Sequence, residues 1–190
     1  MTQPEGTLGP VDWRALAERL GTLRADGESG GSDLGRRALE LILGADALRA
    51  AVDYYVAALP GAELARSVLA LLRPLPAMER CLEVWRGDAD PDARRAAVEL
   101  LRVVADRRAL AWVGEFLRDR DDGVQTWGAG VVDQLLWSGQ VDAEDCAPLM
   151  EAMQTHPNEG VRRYAELIHS FLAGRGDASE PGATPDPAGM

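Results

Sequence analysis

The sequence predicts an all-α fold in which about four to five antiparallel helix pairs stack into an α-solenoid with an N-terminal capping helix. Three observations support this fold class. Hydrophobic residues make up 46% of the 190 residues but aromatic residues only 5%, so the apolar content lies mainly in Ala, Leu and Val, of which Ala and Leu favour helix. Apolar positions recur with helical spacing. The same spacing returns in successive segments, which is typical of repeat architectures.

The chain divides into a repeat region and flanking segments. Residues 1–10 are rich in Pro and Gly and are predicted to be disordered. Residues 11–26 place four aliphatic residues at helical spacing and predict the N-terminal helix, which would cap one open end of the stack. Residues 33–172 hold the repeats. Residues 174–190 contain Gly, Pro and acidic residues with little to bury, and are predicted to form a disordered tail.

Five segments align on an aliphatic or small anchor residue, with anchors 30, 29, 31 and 37 residues apart. Apolar or small residues follow each anchor by four and seven positions, which places all three on one helix face. A small residue in the middle of that face allows a neighbouring helix to approach. The anchors are Leu34, Leu64, Ala93, Val124 and Val161; the second column is Ala38, Val68, Ala97, Gly128 and Ala165; the third is Leu41, Leu71, Leu100, Val131 and Ile168.

Residues suited to a helix N-cap lie three positions before each anchor. The column reads Gly31, Gly61, Asp90, Asp121 and Asn158, and Asp or Asn at an N-cap accepts hydrogen bonds from free backbone N–H groups. Pro91 follows at the first helical position, where its missing N–H costs nothing. Five first helices are therefore expected, the last ending near Leu172.

A second apolar stripe follows the first helix in four of the units, and predicts a second helix in each. In the third unit this stripe is Leu110, Val113 and Leu117. Pro148 is awkward inside a long helix, and it fits if Asp145 caps a helix that begins at Cys146.

The helix openings "DPDARRAA" and "NEGVRRYA" resemble HEAT repeats, and the short period is similar to the HEAT-like repeats of phycobilin lyases. Val161, Arg162, Ala165 and Ile168 match the family pattern well. The resemblance covers residues 33–172 and implies a right-handed α-solenoid whose second helices line a concave inner surface. It implies little about function, because one scaffold hosts many roles.

Charge and cysteine usage narrow the function classes. A net charge of −11 argues against attraction to nucleic acid or an anionic membrane and favours a basic protein partner. All 20 basic residues are Arg, for which a GC-rich genome is the simple explanation and carboxylate or phosphate binding the sharper one. Cys81 and Cys146 have neither disulfide nor zinc-site spacing. The N-terminus lacks signal-peptide features, so we expect a cytoplasmic monomer.

The catalytic inventory is poor, and we expect neither a cofactor nor a metal. His156 and His169 are the only near-neutral bases, and a capping or solvated role suits both. A Cys146–His156 dyad is conceivable but lacks a third orienting group. HEAT-like DNA glycosylases use a basic groove with aromatic and acidic residues, which Trp112, Trp127 and Asp133 echo, but the overall charge has the wrong sign for DNA.

The leading functional hypothesis is a non-catalytic protein–protein interaction module that binds a partner through its concave helical surface. Aromatic and Arg residues are enriched at binding hot spots, and Trp112 and Phe116 lie off the stripe of their helix. The candidate partner-binding residues are Tyr55, Trp85, Arg107, Arg108, Trp112 and Phe116. Two alternatives stay open. One is an inhibitor or immunity-type protein that neutralises a basic toxin, and the other is a lyase or DNA-glycosylase-like enzyme on the same scaffold.

Overall fold

A computed structural model describes residues 23–24, 27–28, 33–87 and 90–177 of the chain. Its two long stretches form nine α-helices and a short 3₁₀-helix at Arg107–Ala109. The helices are α1 (Asp33–Leu43), α2 (Ala45–Val56), α3 (Ala62–Leu72), α4 (Leu75–Arg86), α5 (Pro91–Val104), α6 (Leu110–Phe116), α7 (Asp122–Trp137), α8 (Ala143–Gln154) and α9 (Glu159–Asp177). The all-helical solenoid expected from the sequence is confirmed for these residues.

Two predictions for the ends of the chain need correction. Leu23–Arg24 pairs antiparallel with Gly27–Glu28 as two-residue strands, although Leu23 and Arg24 were expected in the N-terminal helix 11–26. The rest of that capping helix, the segment 1–10 and the first predicted N-cap, Gly31, lie outside the described residues. The last helix was expected to end near Leu172 but continues to Asp177, because Gly174 inside a helix only weakens it. Residues 178–190 also lie outside the described part.

In each of the last three units, the first helix begins directly after the predicted N-cap residue. The Asp90 carboxylate accepts a hydrogen bond from the Asp92 N–H at 2.8 Å. Asp121 Oδ1 accepts from the Gly123 and Val124 N–H groups at 2.9 and 3.0 Å. Asn158 Oδ1 accepts from the Gly160 N–H at 2.8 Å. These bonds satisfy backbone donors that a helix leaves unpaired in its first turn.

The predicted core columns are correct in the last three units and shifted in the first two. In α5, α7 and α9 every residue of the second and third columns is buried. In α3, however, the anchor Leu64 is 74% exposed, and the buried residues are Leu69 and Leu72. The helix AELARSVLALL contains two overlapping stripes one residue apart, and the one that begins at Ala65 faces the core.

The first unit differs because it stands at the end of the described stack. Leu39 is buried, whereas the predicted core residue Leu41 is 82% exposed and its neighbour Ile42 is 78% exposed. Helix α1 contacts mainly α2 and α3, so only one side of it has a neighbour among the described residues. The predicted stripe of α1 is therefore wrong at Leu41.

The helices stack in two rows with a shared interior. First helices α3, α5, α7 and α9 each lie beside the next one, and every second helix packs closely against the first helix of the following unit. Most contacts run between neighbouring units, as expected of a solenoid, and α2 of the first unit also touches α5 of the third. One continuous cluster of buried apolar side chains extends from Leu39 to Ile168.

Helix α8 starts three residues earlier than predicted. Asp142 is the N-cap, and Asp145 takes the third helical position of a capping box. Pro148 therefore lies inside the helix rather than in its first turn. The Asp142 side chain accepts from the Asp145 N–H, and the Asp145 side chain accepts from the Asp142 N–H. Two backbone donors are thereby satisfied, which stabilises the earlier start.

Candidate partner-binding surfaces

Two of the predicted partner-binding aromatics, Trp85 and Phe116, belong to the core. Phe116 is fully buried and its ring meets that of Trp85 edge-on, with centroids 4.8 Å apart at 82°. Trp85 is 8% exposed, and its indole N–H donates to Asp119 Oδ2 at 2.8 Å. The expectation that Phe116 lies off the buried stripe of its helix is therefore wrong. Phe116 follows Val113 by three positions, which places both side chains on the buried face of α6, and Gly128 on α7 leaves room for the ring.

Tyr55 and Trp112 also face inward. Tyr55 is buried, and loss of solvation, helped by the nearby Glu99 carboxylate, raises the pKa of its hydroxyl to about 12. Trp112 is half-buried and packs against the core. Neither ring presents its full surface to a partner, and Trp112 alone among the four aromatic candidates keeps a substantial exposed edge.

Arg107 and Arg108 are exposed, as a binding role requires. They lie in the 3₁₀-helix that joins α5 to α6. The Arg108 guanidinium forms an ion pair with Asp106, and this hydrogen-bonded carboxylate raises the pKa of Arg108. The structure does not bring this pair of arginines to the aromatic candidates Trp85 and Phe116, which pack between α4 and α6.

A buried ion pair joins α5 to the turn that follows α6. Arg94 of α5 pairs with Asp119, and the two side chains are 12% and 5% exposed. Arg94 Nε–H also donates to the Trp85 carbonyl at 2.9 Å. Asp119 Oδ1 accepts from the Asp121 N–H at 2.9 Å, so both of its oxygens are occupied. This network fixes the turn that follows α6.

A cleft of about 650 Å³ opens beside that ion pair, between the end of α4 and the turn after α6. We call it the arginine cleft, because its charged lining consists of Arg86, Arg94, Glu115, Arg118, Asp119 and Arg120. Arg86 Nη2–H donates to both oxygens of Glu115 at 3.0 and 2.9 Å. Four arginines against two carboxylates leave the cleft positive. Its volume lies in the range of ligand-binding clefts.

The second helices present a surface of the opposite charge. We call the exposed side of α2, α4, α6 and α8 the second-helix face. Arg86 is the one exposed basic residue of these helices, and Glu115 already pairs with it. The exposed acidic residues of these helices are Asp46, Asp53, Glu79, Glu83, Glu144, Asp145 and Glu151. A surface of this charge attracts a basic partner.

The groups considered for catalysis are held in structural roles. Cys81 and Cys146 are buried, and burial raises the pKa of both thiols, that of Cys146 to about 11. His156 Nε2–H donates to the Leu117 carbonyl at 2.9 Å, and its Nδ1 accepts from the Asn158 N–H at 3.1 Å. Both ring nitrogens are thus occupied, so His156 is not placed to activate Cys146. The predicted capping role of His156 fits this geometry.

The other polar candidates stand apart from one another. His169 is exposed, as predicted, and hydrogen-bonds to Gln154. Burial raises the pKa of Asp133, against the influence of Arg102. Arg102 itself lies over the Trp127 ring at 5.3 Å. Among the described residues, no group of three or more His, Cys, Asp or Glu side chains is arranged to hold a metal ion.

Comparison with known proteins supports the repeat assignment. Residues 78–168 match the family model of HEAT repeats, and this range covers the three units whose caps and core columns follow the sequence pattern. HEAT repeats are generally scaffolds for protein interaction. No match was found among curated proteins or solved structures. In the described part, none of the helices has the length and apolar character needed to cross a bilayer. Residues 78–168 of the chain therefore contain HEAT repeats.

Proposed function

We propose that the chain is a non-catalytic module that binds a protein partner through its second-helix face. Repeat solenoids offer extended surfaces of this kind. The observation that carries the proposal is the charge of this face: seven exposed carboxylates on three of the four second helices, α2, α4 and α8, against a single exposed arginine that is already paired. Two of the seven carboxylates, Asp53 and Glu83, pair with half-buried arginines, and the other five have no such pair among the described residues. A basic partner surface fits it.

The state of the cysteine thiols and of the His156 ring supports a non-catalytic role. Nucleophilic catalysis by cysteine needs an accessible thiolate, and both thiols are buried with raised pKa values. A general base needs a free ring nitrogen, and the ring nitrogens of His156 are bonded to backbone groups. An interaction role needs neither group.

The experiment compares partner capture by two matched variants of the full chain. Glu79→Gln with Glu151→Gln removes two charges from the second-helix face, whereas Glu159→Gln with Glu166→Gln removes two exposed charges from α9. Proteins captured from the native cell are identified by mass spectrometry. We expect the first variant to lose the partner and the second to retain it. Equal capture by both variants would exclude the second-helix face.

An inhibitor of a basic protein is the sharper form of the same proposal, and the acidic second-helix face favours it. It adds one expectation, that the purified chain lowers the activity of the captured partner. The Glu79→Gln, Glu151→Gln variant should lower it less. A partner whose activity is unaffected by saturating amounts of the chain would leave a scaffolding role.

A further inference from the structure

The positive charge of the arginine cleft is a local feature of one position in the stack. The corresponding gap one unit earlier has a volume of about 470 Å³, and its charged lining is Asp53, Arg80, Glu83 and Asp90. One arginine against three carboxylates makes that gap negative. Four arginines against two carboxylates make the arginine cleft positive, in a chain whose net charge is −11. The repeat geometry alone therefore does not produce the positive charge.

Two of the four guanidinium groups are available to a ligand. Arg94 is committed to Asp119 and Arg86 to Glu115. Arg118 and Arg120 are exposed, and neither has a hydrogen-bond or ion-pair partner in the described part of the chain. They flank Asp119, whose side chain is held by Trp85, Arg94 and the Asp121 N–H. The backbone that carries both arginines is thus fixed before any ligand arrives, which lowers the entropic cost of binding.

The available donors of the cleft are guanidinium groups rather than backbone N–H groups. Phosphate sites at helix N-termini use free backbone N–H groups, but here Asp121 occupies the Gly123 and Val124 N–H groups and Asp90 occupies that of Asp92. What remains is a pair of guanidinium forks, each of which can bind one carboxylate through two parallel hydrogen bonds. Two forks two residues apart fit two acidic side chains of one peptide.

We propose that the arginine cleft binds an acidic peptide segment of a protein partner, with Arg118 and Arg120 each binding one carboxylate. The cleft shares Arg86 and Glu115 with the second-helix face, but its two available arginines lie outside the second helices and its charge is opposite, so the inference goes beyond the proposed function. Trp85, Arg94 and Asp119 position the two arginines and do not contact the peptide carboxylates.

The first test measures binding of the full chain to a fluorescein-labelled peptide of alternating glutamate and aspartate by fluorescence anisotropy. A peptide of alternating glutamine and asparagine is the matched control. We expect the acidic peptide to bind, the neutral one not to bind, and added salt to weaken binding through screening. An acidic peptide that fails to bind at low ionic strength would refute the proposal. So would inorganic phosphate that binds more tightly than the peptide.

Variants then locate the site. Arg118→Gln with Arg120→Gln should weaken peptide binding by about tenfold or more, since each charge-assisted hydrogen bond is strong. Arg163→Gln, which removes an exposed arginine of α9 outside the cleft, should leave binding unchanged. All three residues are exposed, so the thermal midpoints of both variants should match that of the unaltered chain. Undiminished binding by the double variant would overturn the assignment.

The outcome is independent of the second-helix face. The Glu79→Gln, Glu151→Gln variant keeps every arginine of the cleft and should bind the acidic peptide as the unaltered chain does. If that variant loses its basic partner but keeps the peptide, both proposals stand. If the Arg118→Gln, Arg120→Gln variant still binds the peptide, the cleft proposal fails, and the proposal for the second-helix face is unaffected.

Discussion

Gly128 of α7 lies so close to Phe116 of α6 that a Cβ atom added to the glycine would be 2.5 Å from the Phe116 Cβ. Both residues are buried, and the contact joins the third unit to the fourth. Protein interiors are close-packed, so a contact this short leaves no room for an added methyl group. The close approach of α6 and α7 therefore depends on glycine at this position.

Replacing Gly128 with Ala should lower the free energy of unfolding by about 1–3 kcal/mol, because overpacking forces the helices apart. The better helix propensity of Ala would offset about 0.5–1 kcal/mol of that loss. Chemical denaturation followed by circular dichroism measures the difference. Gly114→Ala on α6 is the control, since its added Cβ would meet only the end of the Arg118 side chain at 3.8 Å. A Gly128→Ala variant as stable as this control would contradict the close packing.

The ion pair of Arg94 and Asp119 yields a second prediction. Asp119→Ala leaves the Arg94 guanidinium and the Trp85 indole N–H without their acceptor. Removing one member of a buried pair costs about 3–5 kcal/mol, and we expect a loss of stability in that range by urea denaturation. Arg86→Gln breaks the exposed pair with Glu115 and should cost no more than about 1 kcal/mol. Equal losses in the two variants would show that the Asp119 network adds nothing.

Asp121 gives a pH-dependent prediction. Its hydrogen-bonded partner Arg95 lowers the pKa of the Asp121 carboxyl from 3.8 to about 2. A carboxyl with a lowered pKa in the folded state stabilises the fold at pH values above its unfolded pKa, and this contribution disappears as the pH falls through the folded value. Asp121→Asn keeps the capping oxygen and removes the charge. We therefore expect the variant to be less stable than the unaltered chain at neutral pH.

The stability difference between Asp121→Asn and the unaltered chain should then shrink as the pH falls from about 4 towards 2. Urea denaturation at a series of pH values measures it. Asp46→Asn, an exposed carboxylate of α2, serves as the control and should have little effect across the series. A difference for Asp121→Asn that does not change with pH would contradict the role of the Arg95 pair.

The thiols provide a fourth prediction. Loss of solvation raises the pKa of Cys146 from 9.0 to about 11, which lowers its thiolate fraction near neutral pH about 100-fold. Iodoacetamide should therefore modify Cys146 at least about 100-fold more slowly in the folded chain than in concentrated urea. Cys81, which is also buried, should behave likewise. Mass spectrometry of digested samples separates the two sites, and rapid labelling of folded Cys146 would contradict its burial.

Local signals in the sequence were sufficient for the last three units. Asp90, Asp121 and Asn158 were recognised because a capping side chain acts on its own helix within three residues, so no tertiary information is needed. In the first two units the predicted N-cap column holds glycine, which has no capping side chain, and their apolar residues allowed more than one stripe. The burial of Leu69 rather than Leu64 was decided by packing against neighbours, which a single helix cannot reveal.

The binding surfaces were less predictable than the fold. Phe116 was expected to lie off the stripe of its helix, but it follows Val113 by three positions and therefore shares the buried face of that residue. The arginine cleft was missed because its residues come from two units. The alternation Arg118-Asp119-Arg120 is its one local signal.

The unequal burial along the stack has a consequence for how the molecule opens. Helix α5 buries Ala97, Val98, Leu100, Leu101 and Val104, whereas Leu39, at 8% exposed, is the one buried residue among the described side chains of α1. In a chain held together by neighbour contacts, such an end frays before the middle does. Amide hydrogens of α1 should therefore exchange with solvent deuterium earlier than those of α5, and a protease should nick the chain near its first unit while the later units stay intact.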